Sequence, residues 1–270
     1  MTDVDAHTVL DRPTMTVTVE GYVATMTLNR PETMNAFDEA VHDDFLATVD
    51  ALRTLDVRAA VLASTGKVFS AGGDFDFMLQ AHHDLQFLLR HVDVGRNLVL
   101  TLLEVPYPIV AAVQGPAIGL GATVVLACDA VVASRNVVIA DPHVRVGLAA
   151  GDGGCLFWPQ HVGMLLARRY LLTGDRLDAE RCYQLGLVSD LVDEPADVLP
   201  AASALAERMA ALPPLAVQGT KRALANVMRM RAGEVLDLAF AAEVTSVRSD
   251  DLPEAIAAIR EKRPPTYRGR

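Results

Sequence analysis

A histidine and an aspartate in one short segment are well suited to acid–base chemistry. The segment DPHVRVGLAAGDGG spans residues 141–154 and places Asp152 nine positions after His143. Imidazole titrates near neutral pH, so His143 can serve as a general base. Asp152 would orient the ring through a ring N–H, as in a catalytic triad without the serine. The structural alternative is that His143 bonds the backbone and Asp152 caps a following helix.

Two glycine-rich loops after predicted strands are the second chemical feature. They are FSAGGD at 69–74 and GPAIGLG at 115–121, and the second loop opens a predicted helix. The first turn of a helix presents unpaired backbone N–H groups at the positive end of its dipole. One N–H from each loop would bind the oxyanion of a thioester enolate or of a tetrahedral intermediate. Taken singly, each loop is also typical of a simple chain turn.

The first 150 residues or so follow an α/β pattern that would position these loops. Period-two alternation predicts a β-hairpin over 14–29, and RAAVLAST predicts a buried strand over 58–65. Asp38 is expected to cap the helix that follows it. A further helix starts near Leu85, and Gly95 is a point at which it could divide into two pieces.

Helical segments dominate the rest of the chain after residue 160. They include separate predicted helices over 215–228 and 232–249. The shift in pattern places a boundary near residue 200, between a core at 1–200 and a C-terminal helical region at 201–270. The C-terminal helices alternate Ala/Leu faces with charged ones, which suits packing on a partner subunit or on the same chain.

Composition narrows the class of protein. The chain has 270 residues, is 51% hydrophobic and carries a formal charge of −10 without a visible basic patch, so nucleic acid is not an expected partner. The longest apolar stretches are broken by Gly, Pro and Asp, which argues against membrane spans. The N-terminal segment MTDVDAHTVLDRPTM lacks the apolar region of a signal peptide. Three widely spaced cysteines fit a reducing, cytoplasmic setting and no zinc site.

Several segments, in their order and spacing, resemble the crotonase superfamily, that is, the enoyl-CoA hydratase/isomerase family. They are LNRPETMNAF, GKVFSAGGDF, PIVAAVQGPAIGLGATVVLACDAVVAS, DPHVRVGL, LLTGDRLDAERCYQLGLVSDLV and AIAAIREKRP. The likeness runs from about residue 14 to the end of the chain. It implies an α/β spiral of ββα units with a C-terminal helical trimerisation region, assembled as a homotrimer or a dimer of trimers. It also implies an acyl-CoA substrate and no cofactor beyond the coenzyme A of that substrate.

The same resemblance implies roles for individual residues. By position in the family pattern, the two oxyanion donors are the backbone N–H groups of Ala71 and Leu120. Contacts to the substrate are expected from the loops near residues 26–30 and 70–75 and from the helix after GLG. Further contacts are expected from an aromatic residue that lines the acyl pocket or the core, and from the C-terminus. These residues are Met26, Arg30, Ser70, Gly72, Asp74, Phe75, Gly119, Thr123, Trp158 and Lys262.

The sequence departs from the family at both acid–base positions. Family hydratases use two glutamates around one water, and the corresponding positions here are Thr123 and His143. Threonine has no useful pKa, so the two-glutamate route is not available. His143, oriented by Asp152, is the expected general base in its place. The region around them also resembles the 6-oxocamphor hydrolases, which are members of the superfamily that cleave β-diketones. Glu243 would match the C-terminal acidic residue of those enzymes. The alternative is that Glu243 is an ordinary charge on a helix surface.

Three functions therefore stay open from the sequence. The first is an acyl-CoA enzyme in which His143 activates water or moves an α-proton, by hydration, double-bond shift or hydrolysis. The second is hydrolysis of a C–C bond in a β-diketone without coenzyme A. The third is an acyl-CoA binder without catalysis. No metal site is expected, because no clustered set of His, Asp and Glu is evident along the sequence.

Overall fold

The structure of the protein is a computed structural model that describes residues 7–270. The first six residues of the segment considered for a signal peptide lie outside the described residues. No helix within 7–270 combines the length and the apolar character needed to cross a bilayer.

Within residues 7–270, ten strands form two sheets. Their bounds are β1 (His7–Asp11), β2 (Met15–Glu20), β3 (Val23–Leu28), β4 (Ala59–Ser64), β5 (Ile109–Val113), β6 (Ala117–Ile118), β7 (Ala130–Ser134), β8 (Val138–Ala140), β9 (Leu177–Asp178) and β10 (Asp190–Val192). The larger sheet has the order β1-β2-β3-β4-β5-β7-β10, and the smaller has the order β6-β8-β9. The predicted hairpin over 14–29 is confirmed as β2 and β3, which pair in antiparallel register. From β3 to β10 the neighbours in the larger sheet are parallel.

Nine α-helices lie in the described part of the chain. They are α1 (Glu39–Leu52), α2 (Phe75–His83), α3 (Leu85–Glu104), α4 (Leu120–Leu126), α5 (Gly154–Thr173), α6 (Ala179–Leu185), α7 (Pro195–Ala210), α8 (Pro214–Val247) and α9 (Asp251–Glu261). The expected cap of α1 is confirmed, because the Asp38 carboxylate accepts a hydrogen bond of 2.9 Å from the Val41 N–H. Together with the two sheets, these helices make an α/β fold with a helical C-terminal region, as the sequence predicted.

Two predictions about helix continuity were wrong. Gly95 does not divide α3, which runs unbroken through it. A Cβ at Gly95 would lie 3.4 Å from the Phe240 ring of α8, so the glycine lets the two helices pack closely. The two helices predicted within 215–249 are one helix of 34 residues, because Gly233 lies in open space and leaves the helical hydrogen bonds intact.

The two faces of the larger sheet are buried by different parts of the chain. The main core lies on one face and includes Phe45 of α1, Leu98 of α3 and Trp158 of α5. Helix α7 covers the other face with small side chains, among them Ala202 and Ala206, which allow a close approach to β4 and β5. Residue 200, where the sequence pattern shifts, lies inside α7.

Candidate active site

Three loops are held in register beside one another. An isolated parallel bridge pairs Ser70 with Ala117 at the start of β6. One residue further along β6, Ile118 pairs with Ala140 at the end of β8. The chain segments that follow these pairs therefore leave in the same direction and lie side by side. They carry the FSAGGD loop, the start of α4, and His143.

The first two loops meet through backbone atoms. A Cβ on Gly72 would lie 2.6 Å from the Ile118 carbonyl oxygen, and Gly72 has a φ of +86° that side chains rarely adopt. Gly119, with a φ of +54°, would place a Cβ 4.0 Å from the Gly72 Cα. Gly72 must be glycine because the two backbones touch there, and both positions favour glycine because of their positive φ.

The backbone N–H of Ala71 is already occupied. It donates a 3.0 Å hydrogen bond to the carbonyl oxygen of Met34. The prediction that Ala71 supplies an oxyanion donor is therefore wrong in this structure. The N–H of Leu120, at the first position of α4, has no recorded acceptor among the described residues, as the open end of a helix requires.

Gly73 offers the second donor instead. In the parallel bridge between Gly73 and Phe37, the Phe37 N–H donates to the Gly72 oxygen and the Asp74 N–H donates to the Phe37 oxygen. In such a bridge the N–H of the central residue points away from the partner strand. Within residues 7–270 no acceptor is recorded for the Gly73 N–H, and Gly73 lines both cavities of the site. The second glycine of the GG pair was the sequence signal for this donor.

His143 is buried at the start of a short 3-10 helix, His143–Val146. Its Nδ1 contacts a carboxylate oxygen of Asp141, and its Nε2 lies 3.2 Å from Oδ2 of Asp152. Sequence reasoning found Asp152 but missed Asp141, which stands two residues before the histidine in the same DPH segment.

The two carboxylates decide the charge of this histidine. Burial alone would lower the pKa of His143, but Asp141 and Asp152 outweigh it and raise the pKa well above its ordinary value. For Asp152, burial raises the pKa, and the His143 charge and the hydrogen bond from Thr123 more than reverse that effect. The Thr123 hydroxyl donates to Oδ1 of Asp152 over 3.2 Å. The two carboxylates therefore favour the imidazolium form of His143, which carries a proton that the ring can donate.

His143 stands where two cavities meet. An enclosed cavity of about 90 Å³ lies on one side, with mostly apolar walls that include Phe77, Val92 and Phe240. An open groove of about 720 Å³ lies on the other side, and both are lined by Gly73 and His143. The groove is bordered by basic and aromatic side chains, which are Arg145, Arg176, Arg263 and Tyr267.

Glu243 is not the helix-surface charge that the sequence favoured. Its side chain extends from α8 into the enclosed cavity, and its Oε2 is buried without a hydrogen-bond partner among the described residues. A Cβ on Gly151 would lie 2.5 Å from that oxygen, so the glycine makes room for the carboxyl group. Burial and the charge of Asp152 raise the pKa of Glu243 to about 8.

Some predicted contact residues border the site, and others support it. Phe75, Gly72 and Gly119 line the groove. The Ser70 hydroxyl is buried, donates to the Asn35 carbonyl and accepts from the Gly72 N–H, so it shapes the loop. The Asp74 carboxylate caps α2 by accepting from two backbone N–H groups.

The structure places four predicted contact residues elsewhere. Met26 in β3 and Trp158 in α5 are fully buried in the main core, so their side chains cannot reach a ligand. Arg30 pairs with acidic neighbours at its own loop, and Lys262 ends α9 with an exposed side chain. Neither lines the groove, whereas the neighbour of Lys262, Arg263, does.

The fold brings three possible metal ligands of the 141–154 segment close together in space. Asp141, His143 and Asp152 each offer an atom within 4.8 Å of the others, close enough to share a cation. The expectation that no such set exists is therefore wrong. Both ring nitrogens face carboxylates, so a cation here would have to replace a proton of His143.

Known proteins resemble the chain over nearly its whole length. The enoyl-CoA hydratase/isomerase family model matches residues 18–270. An (E)-benzylidenesuccinyl-CoA hydratase of Thauera aromatica is 34% identical over 94% of this chain and 99% of its own. A 2,3-dehydroadipyl-CoA hydratase of Escherichia coli is 33% identical over 92% and 96%. The crystal structure of an enoyl-CoA hydratase/isomerase from Mycobacterium paratuberculosis superposes with a TM-score of 0.87 at 38% identity, over 92% of this chain and 99% of that one. The chain therefore belongs to the enoyl-CoA hydratase/isomerase family, the crotonase superfamily of enzymes that act on CoA thioesters.

Proposed function

We propose that this chain adds water to an α,β-unsaturated acyl-CoA, with the coenzyme in the open groove and the acyl group in the enclosed cavity. The thioester oxygen would accept hydrogen bonds from the N–H groups of Gly73 and Leu120. Arginines along the groove suit the phosphates of coenzyme A. The hydratase names of two relatives support water addition over a double-bond shift.

The acid and the base of this reaction would be His143 and Asp152. Asp152 takes a proton from water as the water oxygen bonds the β-carbon, and the electron pair of the double bond moves toward the thioester oxygen. The His143 imidazolium then gives its Nε2 proton to the α-carbon. The proton on Asp152 passes to His143 across their 3.2 Å contact and restores the resting state. In the reverse direction His143 is the general base.

One observation carries the proposal: the His143 ring lies against the peptide that bears a donor. The Cβ position of Gly119 lies 3.5 Å from Cε1 and 3.9 Å from Nε2 of the ring. The next peptide N–H is that of Leu120. A carbonyl bound to this N–H would therefore hold its α-carbon close to the proton-carrying edge of the imidazole.

Isotope labelling tests the reaction. An enoyl-CoA turned over in deuterated, ¹⁸O-enriched water should give a 3-hydroxyacyl-CoA with ¹⁸O on C3 and one deuterium on C2. Deuterium at C2 or C4 without ¹⁸O would indicate an isomerase and contradict water addition. Binding of acyl-CoA without any turnover would indicate a non-catalytic binder.

A β-diketone hydrolase is the second candidate, favoured by the imidazole held between two carboxylates. There, water would add to one ketone, the C–C bond would break, and His143 would protonate the leaving carbon. Such an enzyme needs no coenzyme A. Turnover of a cyclic β-diketone with ¹⁸O in the new carboxylate, together with no binding of any acyl-CoA, would favour it over hydration.

The assembly is also a proposal. Large apolar side chains on α5 and α8 face solvent in the single chain, with Leu165, Leu215 and Leu238 between 73% and 85% exposed. We expect a homotrimer or a dimer of trimers that covers them, and light scattering of the purified protein measures the oligomeric state.

Three free cysteines support the expectation of a reducing, cytoplasmic setting.

A further inference from the structure

Within residues 7–270, three polar side chains of the enclosed cavity take no part in the hydration chemistry, and they are Glu243, His42 and His91. Oε2 of Glu243 is buried and has no hydrogen-bond partner in the described part of the chain. Two other polar side chains of the wall, His42 and His91, bond backbone carbonyls of their own helices through Nδ1. The rest of the wall beyond the reacting groups is largely apolar.

An unsatisfied carboxyl group is expensive to bury. A buried polar group without a hydrogen bond costs about 1–3 kcal/mol of folding free energy. The chain nevertheless leaves Gly151 without a side chain, and so admits the carboxyl of Glu243 to the cavity. Oε2 itself lies against Gly151 with almost no exposed surface, whereas the Glu243 side chain lines the cavity, so the carboxyl group can meet a bound acyl chain through its other oxygen, Oε1.

We propose that the preferred acyl group carries a second carbonyl, whose oxygen accepts a hydrogen bond from the Glu243 carboxyl. This inference rests on the proposed function, because it requires the acyl group to occupy the enclosed cavity. It names a substrate class: α,β-unsaturated acyl-CoA thioesters that carry a ketone further along an otherwise apolar acyl chain.

A carbonyl suits the protonation state of the carboxyl. Burial keeps Glu243 protonated near neutral pH, since its pKa is about 8. A protonated carboxyl donates to an acceptor and gives no charge to bind a cation or to activate water. A ketone oxygen accepts such a bond and brings no hydrogen of its own that would need a further partner.

Matched pairs of thioesters test the inference by calorimetric binding. The pairs are 4-oxopentanoyl-CoA with 4-methylpentanoyl-CoA, and 5-oxohexanoyl-CoA with 5-methylhexanoyl-CoA, which are saturated analogues that bind without being hydrated. In at least one pair the wild type should bind the oxo compound about five- to tenfold more tightly, the effect of one buried hydrogen bond. Glu243→Gln retains an N–H donor and should keep the preference, whereas Glu243→Leu should lose it.

Glu234→Leu is the matched control, because it removes an exposed carboxylate from the same helix. It should leave both ratios unchanged. Equal binding within both pairs by the wild type, or an unchanged preference in Glu243→Leu, would overturn the inference and leave the proposed function intact. If no thioester binds, the proposed function fails, and the inference fails with it.

Discussion

Nε2 of His143 lies 3.2 Å from Oδ2 of Asp152, inside the site and largely shielded from water. The other ring nitrogen faces Asp141, which stabilises the imidazolium. A proton can therefore cross from one group to the other while the ring stays in place. The positions of the two glutamates of related hydratases hold Thr123 and His143 in this chain. In the proposed mechanism, the hydrogen-bonded pair of His143 and Asp152 takes over the acid–base roles of those glutamates.

The first prediction concerns the proton donor. His143→Gln retains a hydrogen-bonding side chain but carries no transferable proton, so kcat should fall about 10²- to 10⁴-fold with little change in acyl-CoA binding. Steady-state kinetics and calorimetry measure the two effects separately. His161→Gln is the matched control, because that partly buried histidine bonds the Leu126 carbonyl away from the site and should leave kcat near wild type. A His143 variant with kcat within threefold of wild type would exclude the assignment.

The pH dependence of kcat distinguishes acid from base. Hydration needs Asp152 as a carboxylate, whose pKa is lowered, and His143 as an imidazolium, whose pKa is raised by Asp141 and Asp152. The rate should therefore stay level through pH 6.5, where an ordinary histidine loses its proton, and fall only well above it. Because the facing Glu243 ionises near pH 8, the profile should be repeated in Glu243→Gln. A hydration rate that rises through this range would mean that neutral imidazole is the active form.

Removal of one backbone donor tests the oxyanion site. Leu120 is the first residue of α4, a position where proline is tolerated because its N–H has no helical partner. Leu120→Pro should lower kcat about 10²- to 10³-fold. Leu120→Ala keeps the N–H and serves as control for the lost side chain, and circular dichroism checks that both variants fold. Equal kcat values for the two folded variants would show that this N–H does not bind the oxyanion.

The contact between the two glycine loops should be visible in stability. In Gly72→Ala the added Cβ meets the Ile118 carbonyl, and the backbone at this position also has a positive φ. In Gly21→Ala the backbone has a positive φ as well, but the added Cβ lies in open space. The left-handed backbone conformation alone costs an alanine roughly 1–2 kcal/mol. Gly72→Ala should lower the free energy of unfolding by at least about 2 kcal/mol more than Gly21→Ala, as a core clash does. Urea unfolding measures the difference, and similar losses for the two variants would show that the loops do not touch.

Glu243 should destabilise the protein as pH rises. The unfolded chain loses this proton near the ordinary pKa of 4.5, and the folded chain keeps it to about 8. Between pH 4.5 and pH 8 the folded state holds the Glu243 proton and the unfolded state does not. The contribution of this proton to stability is therefore complete below pH 4.5 and is lost progressively as the pH rises to about 8. Glu243→Leu should therefore gain about 1–3 kcal/mol over wild type at pH 8.

Urea unfolding at pH 5 and pH 8 checks this linkage. The facing groups Asp141, His143 and Asp152 are present in both proteins, so the difference between them reports mainly on Glu243. Glu234→Leu, which removes an exposed carboxylate, should show little change at either pH. A stability difference between wild type and Glu243→Leu that is the same at both pH values would contradict the raised pKa.

Local sequence signals determined much of the fold. Period-two alternation was enough to predict the β2–β3 hairpin, and Asp38 marked the start of α1, because these features depend on neighbours in sequence. Gly95 misled the same reasoning, since its role depends on Phe240, far along the chain. The family pattern indicated the crotonase-type fold before any contact was known.

The sequence by itself determined that His143 and Asp152 belong to one loop and that the usual glutamates are missing. Only the tertiary structure decided that Asp141 takes the second ring nitrogen and that Glu243 turns from α8 into the cavity. It also decided that Met34 occupies the N–H of Ala71, which leaves Gly73 as the donor. Hydrogen-bond partners and buried charges arise from contacts between distant segments, and residue spacing along the chain does not encode the direction in which an N–H or a carboxyl points.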